Sequence, residues 1–354
     1  MSKFFSKKYE NLTPYVPGEQ PKERKLVKLN TNESPFPPSK KAMELAKRQA
    51  EDLQLYSDPE LTELTALTAK TLGVLPQNVI MTNGSDEVLN FLFMAYCDKD
   101  TPAIFPDISY GFYKVFAQLN GLPYKEIPLK DDFSIDVDDY IGVKGTVFIA
   151  NPNAPTGIAL PLSKIEKLVS SNPNRIVVID EAYVDFGGES AVKLLDKYNN
   201  LVVTQTFSKS RSMAGARLGF GVSSKEIISD LMSLKYSTNP YNVNRMTSGA
   251  GIGALTDQEY FRKNCAEIIE NREWTKEQLI KLGFEVLPSK ANFVFAKSGK
   301  ISGKDLYEKL KERGVLIRHF DKERIKEYNR ITIGSKEQMQ TFIDTVKTIL
   351  ESNL

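Results

Sequence analysis

Histidine and cysteine are scarce in this sequence, which limits the kinds of site that it can build. The chain of 354 residues has one histidine, His319, and two cysteines, Cys97 and Cys265, which lie far apart. The two cysteines have neither the spacing of zinc ligands nor the number that a disulfide framework needs. A single histidine excludes histidine clusters for a metal and makes a serine–histidine mechanism depend on one residue. We therefore predict reduced thiols and no metal site.

A charge of one sign and long apolar runs are also missing. The 47 basic and 45 acidic side chains leave a formal net charge of +2, which does not favour a large nucleic-acid surface. Residues 1–8 contain no apolar signal-peptide core, and no later segment is long and apolar enough to span a bilayer. These absences predict a cytoplasmic protein with small-molecule partners, no nucleic acid and no membrane.

The chain has enough length and apolar residues for two lobes, since 41% of its residues are hydrophobic. Frequent prolines between residues 1 and 38 predict an extended N-terminal arm. Residues 39–245 are predicted to form a large domain, and residues 246–354 a long connecting helix followed by a small domain.

Short apolar runs alternate with helical patterns between Val79 and Tyr183. This alternation is typical of an α/β fold with a mostly parallel central sheet and helices on both faces. Further short runs beyond Leu282 predict a smaller α+β domain. Several polar residues directly follow predicted strands, where ligands bind in doubly wound sheets; they are Asp86, Tyr110, Asn153, Asp180, Tyr183 and Lys209.

The stretch 206–219 carries the chemistry around which we interpret the others. Lys209 can form a Schiff base with a carbonyl once its amine is neutral. Thr206 and Ser208 offer hydroxyl groups to a phosphate, and Arg217 offers two parallel N–H donors. Taken alone, Lys209 is equally well explained as a surface lysine, and Asp180 as a helix cap or an ion-pair partner.

Seven ordered motifs along nearly the whole chain resemble the fold-type I pyridoxal-phosphate aminotransferases, and within them the histidinol-phosphate aminotransferases. The motifs are N-L-T-P-Y at 11–15, L-N-T-N-E-S-P at 29–35, N-G-S-D-E at 83–87, N-P-N-A-P-T-G at 151–157, D-E-A-Y at 180–183, the lysine stretch, and N-R-I-T-I-G at 329–334. The resemblance implies a fold-type I transferase whose large domain binds pyridoxal 5'-phosphate.

The resemblance also implies a role for each candidate residue. Lys209 is expected to form the Schiff base, Asp180 to pair with the cofactor ring nitrogen, Tyr183 and in part Asn153 to bond the ring oxygen, and Tyr110 to stack on the ring. The phosphate is expected to bind Ser85, the amide of Asp86, Thr206, Ser208, Arg217 and Tyr56 of a neighbouring subunit. Substrate binding is expected from Arg330, Arg318, Tyr15 and Glu33, the last two on the arm.

The implied reaction is a ping-pong transamination by a homodimer, from histidinol phosphate to 2-oxoglutarate. One position departs from the family pattern, because Ala154 stands where most relatives carry an asparagine that bonds the ring oxygen. Alternatives are an aromatic amino-acid aminotransferase, a threonine-phosphate decarboxylase and a non-catalytic cofactor-binding regulator. A nicotinamide dehydrogenase is disfavoured, since no Gly-x-Gly-x-x-Gly follows the first strand.

Overall fold

The protein is described from a computed structural model that covers residues 2–10, 12–20 and 26–352. Parts of the predicted arm and small domain, namely residues 1, 11, 21–25, 353 and 354, lie outside the described residues. Asn11, the first residue of the N-L-T-P-Y motif, is among them. Within the described ranges, no helix combines the length and apolar character needed to cross a membrane.

Helices begin where a polar side chain can satisfy the free backbone amides of the first turn. Ser39, Ser224, Asn244, Ser302 and Ser335 each accept a hydrogen bond from an amide three residues later. The helices are α1 (Lys40–Ala50), α2 (Thr62–Leu72), α3 (Ser85–Tyr96), α4 (Phe112–Asn120), α5 (Leu162–Ser170), α6 (Lys225–Thr238), α7 (Arg245–Thr256), α8 (Gln258–Lys281), α9 (Gly303–Glu312) and α10 (Lys336–Glu351).

The strands form one large sheet and two small ones. They are β1 (Val27–Lys28), β2 (Val79–Thr82), β3 (Ala103–Pro106), β4 (Tyr124–Ile127), β5 (Thr146–Ala150), β6 (Val177–Asp180), β7 (Leu201–Thr206), β8 (Gly219–Val222), β9 (Phe284–Val286), β10 (Phe293–Ser298), β11 (Val315–Leu316), β12 (Arg318–His319) and β13 (Tyr328–Thr332). Among the described residues, the large sheet has seven strands in the order β2-β8-β7-β6-β5-β3-β4, and only β8 runs antiparallel to its neighbours.

Alternate residues of the central strands pack against helices on opposite faces of the large sheet. On β5, Val147 and Ile149 belong to a core with α5, whereas Phe148 and Ala150 belong to a core with α3 and α6. Because successive strand residues point to opposite faces, burial on both sides requires the uninterrupted apolar runs seen in the sequence. The predicted α/β class with a mostly parallel sheet is confirmed.

The small lobe is built on an antiparallel sheet of order β12-β13-β10-β9, packed against α8, α9 and α10. The N-terminal arm joins this lobe, since β1 pairs in parallel with β11. Ion pairing of Lys311 with Glu19 at 2.8 Å attaches the arm further. The parts of the arm at Glu19 and at β1 are thereby attached to the lobe that carries Arg330.

The helical region that the sequence predicts beyond Asn242 is two helices, α7 and α8, separated at Asp257. The backbone there leaves the helical conformation, with φ −111° and ψ 64°. Helix α7 lies against α1, where a Cβ on Gly253 would come within 2.5 Å of the Lys41 backbone. By packing, α7 therefore lies with the large lobe, although the predicted boundary at residue 245 puts nearly all of it in the small domain.

Candidate active site

Most of the sequence-predicted site residues meet in one cavity at the carboxyl ends of the parallel strands. This cavity, the strand-end cavity, has a volume of about 230 Å³. It is lined by Glu33, Ser85, Asp86, Tyr110, Asp180, Tyr183, Thr206, Ser208, Lys209 and Arg217, together with Thr31 and Ala154 among others. Convergence of strand ends at one edge of the sheet is what brings residues so distant in sequence together.

An adjoining cavity of about 210 Å³, the arm cavity, opens beside the first. It is lined by Tyr15, Asn30, Asn32, Arg318, Phe320 and Arg330, and it shares Thr31, Tyr110, Ala154, Tyr183 and Lys209 with the strand-end cavity. Three of the four predicted substrate residues, Tyr15, Arg318 and Arg330, thus face a space next to the predicted cofactor residues, and Lys209 lies where the two spaces join.

Lys209 lies just beyond the end of β7 in a setting that favours its neutral amine. Its Nζ donates to the Thr31 carbonyl oxygen at 3.3 Å and lies 5.9 Å from the centre of the Tyr183 ring. Burial and the positive charge of Arg330 lower the pKa of Lys209 to about 8, while Glu33 acts in the opposite direction. A larger share of the amine is therefore available as a nucleophile near neutral pH than for an exposed lysine.

Asp180, the last residue of β6, is a buried carboxylate held by hydroxyl groups. Tyr113 and Thr204 donate to its two oxygens at 3.0 and 3.2 Å. Burial raises the pKa of Asp180 to about 6, against the hydrogen bonds that lower it. Within the described ranges, no lysine or arginine forms an ion pair with Asp180, so the site suits a ligand that brings its own N–H group.

A group of hydrogen-bond donors surrounds the start of α3. Ser85 is the first residue of this helix, whose free amides favour an anion. Thr206, Ser208 and Arg217 face the same space, and the Thr206 hydroxyl lies 3.0 Å from that of Ser208. This donor set matches the oxygens of a phosphate.

Asp86 contributes more to this donor group than the backbone amide predicted from the sequence. Its carboxylate accepts from Arg217 Nη2 at 2.9 Å and from the Tyr110 hydroxyl at 2.6 Å. The carboxylate thereby positions the guanidinium that is predicted to bind the phosphate and the aromatic ring that is predicted to stack on the cofactor.

Two glycines allow the hydrogen-bond donors around the start of α3 to approach one another. A Cβ on Gly219 would lie 2.4 Å from the Ser85 nitrogen, and one on Gly84 would lie 2.6 Å from Arg217 Nη2. Gly84 also has a φ of 75°, which few other residues adopt. A nucleophilic amine, a buried carboxylate and a phosphate-binding group in one cavity fit the aldehyde, ring nitrogen and phosphate of pyridoxal 5'-phosphate.

On the substrate side, Arg330 is sandwiched between the rings of Phe293 and Phe320, at 5.4 and 5.7 Å from their centres. Its Nη2 donates to the Asn30 carbonyl oxygen at 3.0 Å, and its buried Nε has no hydrogen-bond partner in the part of the chain that the structure describes. Arg318 lies directly opposite Arg330 across the β12–β13 pair. Two guanidinium groups therefore flank the arm cavity.

The two arm residues differ in how firmly they are held. Glu33 accepts a hydrogen bond from Lys28 and another, at 2.8 Å, from the Thr31 hydroxyl. Tyr15 stacks on Phe112, with ring centres 4.3 Å apart, and is 40% exposed. Both line a cavity, Glu33 the strand-end cavity and Tyr15 the arm cavity.

Two predicted residues do not line either cavity. The amide of Asn153 is engaged by its own surroundings, since it accepts from Ser109 at 2.8 Å and donates to Ile108 and Thr156. The expected contact of Asn153 with the cofactor ring therefore requires correction. Tyr56 is 78% exposed and stacks on Tyr241, outside the cavities of its own chain.

Sequence reasoning missed three polar residues next to the site. Tyr113 and Thr204 hold Asp180, and the Asn32 side-chain amide donates to the Tyr183 hydroxyl at 2.9 Å. Asn32 belongs to the motif at 29–35 and Thr204 ends the apolar run before the lysine stretch, so both were within recognised segments. Tyr113 gives no such signal, because a tyrosine in an amphipathic helix is usually a core residue.

Comparison with known proteins agrees with this geometry. The sequence profile of the family described as aminotransferase class I and II matches residues 24–346. The histidinol-phosphate aminotransferase of Sinorhizobium meliloti, solved in complex with pyridoxal-5'-phosphate, shares the fold with a TM-score of 0.86 at 24% identity, over 94% of this chain and 93% of that one. The chain belongs to the class I and II aminotransferases, and it is a pyridoxal-phosphate-dependent enzyme of fold type I.

Within this class the chain belongs to the histidinol-phosphate aminotransferase family. It is 48% identical over 349 residues to the enzyme of that name from Acinetobacter baumannii, covering 98% of this chain and 97% of that one. It is 47% identical over 356 residues to the one from Brachyspira hyodysenteriae, covering 99% and 100% of the two chains.

Proposed function

We propose that this enzyme transfers the amino group of histidinol phosphate to 2-oxoglutarate, which yields imidazole acetol phosphate and glutamate. The observation that carries this choice is the directly opposed pair of Arg318 and Arg330 beside the arm cavity. Like charges opposite each other on neighbouring strands are destabilising unless an anion lies between them. Two guanidinium groups suit the doubly charged phosphate of this donor better than a single carboxylate.

The roles proposed for the strand-end cavity follow from its contacts. Lys209 would bind the aldehyde of the cofactor until the amino donor displaces it, and the cofactor would supply an electron sink for the substrate carbon. Asp180 holds a proton at the ring nitrogen, and Tyr183 donates to the ring oxygen. Ser85, Thr206, Ser208 and Arg217 bind the phosphate. The freed Lys209 amine would act as general base at the substrate carbon and, once protonated, as the general acid that gives the proton back, a role that its pKa of about 8 permits.

The proposal also includes the arm, the assembly and the location of the enzyme. Tyr15 and Glu33 close over the substrate and exclude water, while Arg330 and Arg318 hold its phosphate. A homodimer places the exposed Tyr56 of each chain at the phosphate of its partner's cofactor. The division into an arm of residues 1–38 and domains of residues 39–245 and 246–354 is part of this proposal. A cytoplasmic location is part of this proposal.

Donor exchange tests the substrate assignment. The holoenzyme is supplied with 2-oxoglutarate and, in turn, histidinol phosphate, histidinol, phenylalanine, tyrosine or threonine phosphate, while glutamate and carbon dioxide are measured. We expect kcat/KM for histidinol phosphate to exceed that for histidinol about 100-fold or more, because histidinol leaves both guanidinium groups without an anion. Arg318→Met should reduce this ratio about tenfold or more, whereas Arg262→Met, on an exposed part of α8, should leave it unchanged.

Each alternative has its own outcome in the same experiment. Turnover of phenylalanine or tyrosine with an inert histidinol phosphate would establish an aromatic aminotransferase. Release of carbon dioxide from threonine phosphate would establish a decarboxylase. Cofactor binding without glutamate formation from any donor would indicate a non-catalytic regulator.

A further inference from the structure

Asn32 is a buried residue that connects the small lobe to the strand-end cavity. It has a left-handed backbone, with φ 56°, a conformation that asparagine tolerates better than most residues. Its backbone N–H donates to the Thr332 hydroxyl at 3.0 Å, and its carbonyl oxygen accepts from the Asn292 amide at 3.1 Å. These contacts attach Asn32 to β13 and to the residue before β10, so its position depends on the small lobe.

With the Asn32 amide oriented as in this structure, the hydrogen bonds around it run in one direction. The Thr332 hydroxyl lies 3.1 Å from Asn32 Oδ1, which cannot donate, so the hydroxyl proton of Thr332 must point toward Oδ1. That orientation agrees with the Thr332 oxygen accepting from the Asn32 backbone N–H. With Oδ1 engaged by Thr332, the Nδ2 of Asn32 faces the Tyr183 hydroxyl at 2.9 Å and donates to it.

This direction determines where the proton of Tyr183 goes. Because the Tyr183 oxygen accepts from Asn32, its own proton points elsewhere, and Tyr183 lines both cavities. We propose that Asn32 and Thr332 are positioning residues that aim the hydroxyl proton of Tyr183 into the cavity, at the ring oxygen of the bound cofactor. Ala154, which also lines the cavity, provides no side-chain donor that could take over this contact.

The hydrogen bonds that run from Thr332 through Asn32 to Tyr183 begin on β13, the strand that also carries Arg330. Thr332 and Arg330 are both on β13, two residues apart, and therefore on the same face of that strand. The Arg330 side chain donates through Nη2 to the Asn30 carbonyl oxygen, and the backbone N–H of Thr332 donates to the Leu29 carbonyl oxygen, so the same strand holds the segment that leads to Asn32.

The electrostatic setting of Tyr183 is consistent with this arrangement. Burial raises the pKa of its hydroxyl, whereas Arg330 and the hydrogen bond from Asn32 lower it. The other charged groups that face Tyr183 are Asp180 and Asp86, which raise the pKa, and Lys209, near its ring. None of the variants below alters these four charged groups.

The inference rests on the proposed cofactor role of Tyr183, and its test needs no substrate. The pH midpoint of the visible absorbance change of the cofactor-loaded enzyme reports how strongly the ring oxygen is stabilised. We expect Tyr183→Phe to raise this midpoint, since loss of a donor disfavours the form with more negative charge on that oxygen. Asn32→Gly and Thr332→Val should each raise it by about half a pH unit or more.

A double-mutant comparison separates positioning from general disturbance. If Asn32 acts through Tyr183, Asn32→Gly should produce no further shift in the Tyr183→Phe background, and Thr332→Val should behave in the same way. Thr348→Val is the matched control, because this exposed hydroxyl on α10 bonds only its own helix, and its midpoint should equal that of the wild type. Glycine accepts the left-handed backbone at position 32, so Asn32→Gly decides the question if Thr332→Val does not fold.

An unchanged midpoint in folded Asn32→Gly would overturn the inference, as would an equal shift in the presence and absence of the Tyr183 hydroxyl. Either result would leave the proposed function intact, provided that the wild type shows the pH-dependent band. Absence of that band from the loaded wild type would refute the cofactor role of Lys209 and the inference together. Activity with histidinol phosphate does not enter the test, so a wrong substrate would not affect its result.

Discussion

At the scale of single residues, the chemistry of the site depends on how burial and charge set the protonation of Lys209. The lysine must be neutral to attack an aldehyde, and its lowered pKa of about 8 makes about a tenth of the amine neutral at pH 7, far more than for an exposed lysine. Arg330 assists by disfavouring a second positive charge nearby, and Glu33 partly offsets this effect. The same arginine thus has a proposed role in binding the substrate anion and in activating the amine.

This balance predicts the pH dependence of cofactor association. Mixing apoenzyme with pyridoxal 5'-phosphate in stopped-flow absorbance should give a rate that rises with pH and reaches half its limit near pH 8, where half of the Lys209 amines are neutral. Glu33→Gln should move this midpoint to lower pH, because it removes a charge that favours protonated Lys209. Glu259→Gln, on an exposed part of α8, serves as the control. A rate that is flat from pH 6.5 to 9.5, a range about 1.5 units on either side of the expected midpoint, would contradict this assignment.

At the scale of elements, the hydrogen-bond donors around the start of α3, which are proposed to bind the phosphate, depend on close contact between the start of β8 and the start of α3. Gly219 opens β8, and a Cβ there would meet the Ser85 nitrogen at 2.4 Å and the Gly84 carbonyl carbon at 2.5 Å. Both are backbone atoms, so the clash cannot be relieved by rotating a side chain. The helix end would have to move away from Thr206, Ser208 and Arg217.

Gly219→Ala should therefore weaken both the fold and cofactor binding. We expect a loss of about 1–3 kcal/mol in the free energy of unfolding, as is typical of overpacking, and about tenfold weaker binding of pyridoxal 5'-phosphate. Chemical denaturation and cofactor titration measure the two effects. Gly215→Ala is the matched control in the same segment, because a Cβ there meets no atom within 4 Å. Equal behaviour of the two variants would show that the strand–helix contact does not control the site.

At the scale of the whole molecule, the exposed Tyr56 is the feature that one chain alone leaves unexplained. It stacks on Tyr241, which is 41% exposed, so two large aromatic rings lie together at the surface. Such a pair commonly marks an interface, and in the proposed homodimer it would lie at the partner's phosphate site.

Mixed dimers can test this arrangement. Chains with Lys209→Ala and chains with Tyr56→Ala are co-expressed with different tags. Each variant alone should be weak or inactive. One site of every mixed dimer, however, would combine native Lys209 with native Tyr56. Random assortment then restores about a quarter of the wild-type sites. Lys209→Ala mixed with Arg217→Ala is the control, because these residues line the same cavity of one chain and no native site forms. Absence of recovery in the first mixture would contradict the shared site.

Much of the fold and the centre of the site could be predicted from the sequence. Apolar runs buried on both faces indicate parallel strands, and the residues that follow them are brought to one edge by the topology itself. The ends of two consecutive strands, β6 and β7, and the turn before β8 contain five of the site residues: Asp180, Thr206, Ser208, Lys209 and Arg217. Their proximity therefore follows from local connectivity. The sequence by itself therefore determined the α/β class, the location of the site and the aminotransferase family.

Other features were decided only by tertiary structure, because they depend on how distant segments pack and how their side chains turn. Asn32 and Thr332 are 300 positions apart, and nothing local indicates that they share two hydrogen bonds. Asn153 lies in a recognised motif, yet bonds to its own loop and to Ser109 use its amide. Periodicity and motif order carry information about the backbone, whereas hydrogen-bond partners of a side chain depend on long-range contacts that only the folded chain establishes.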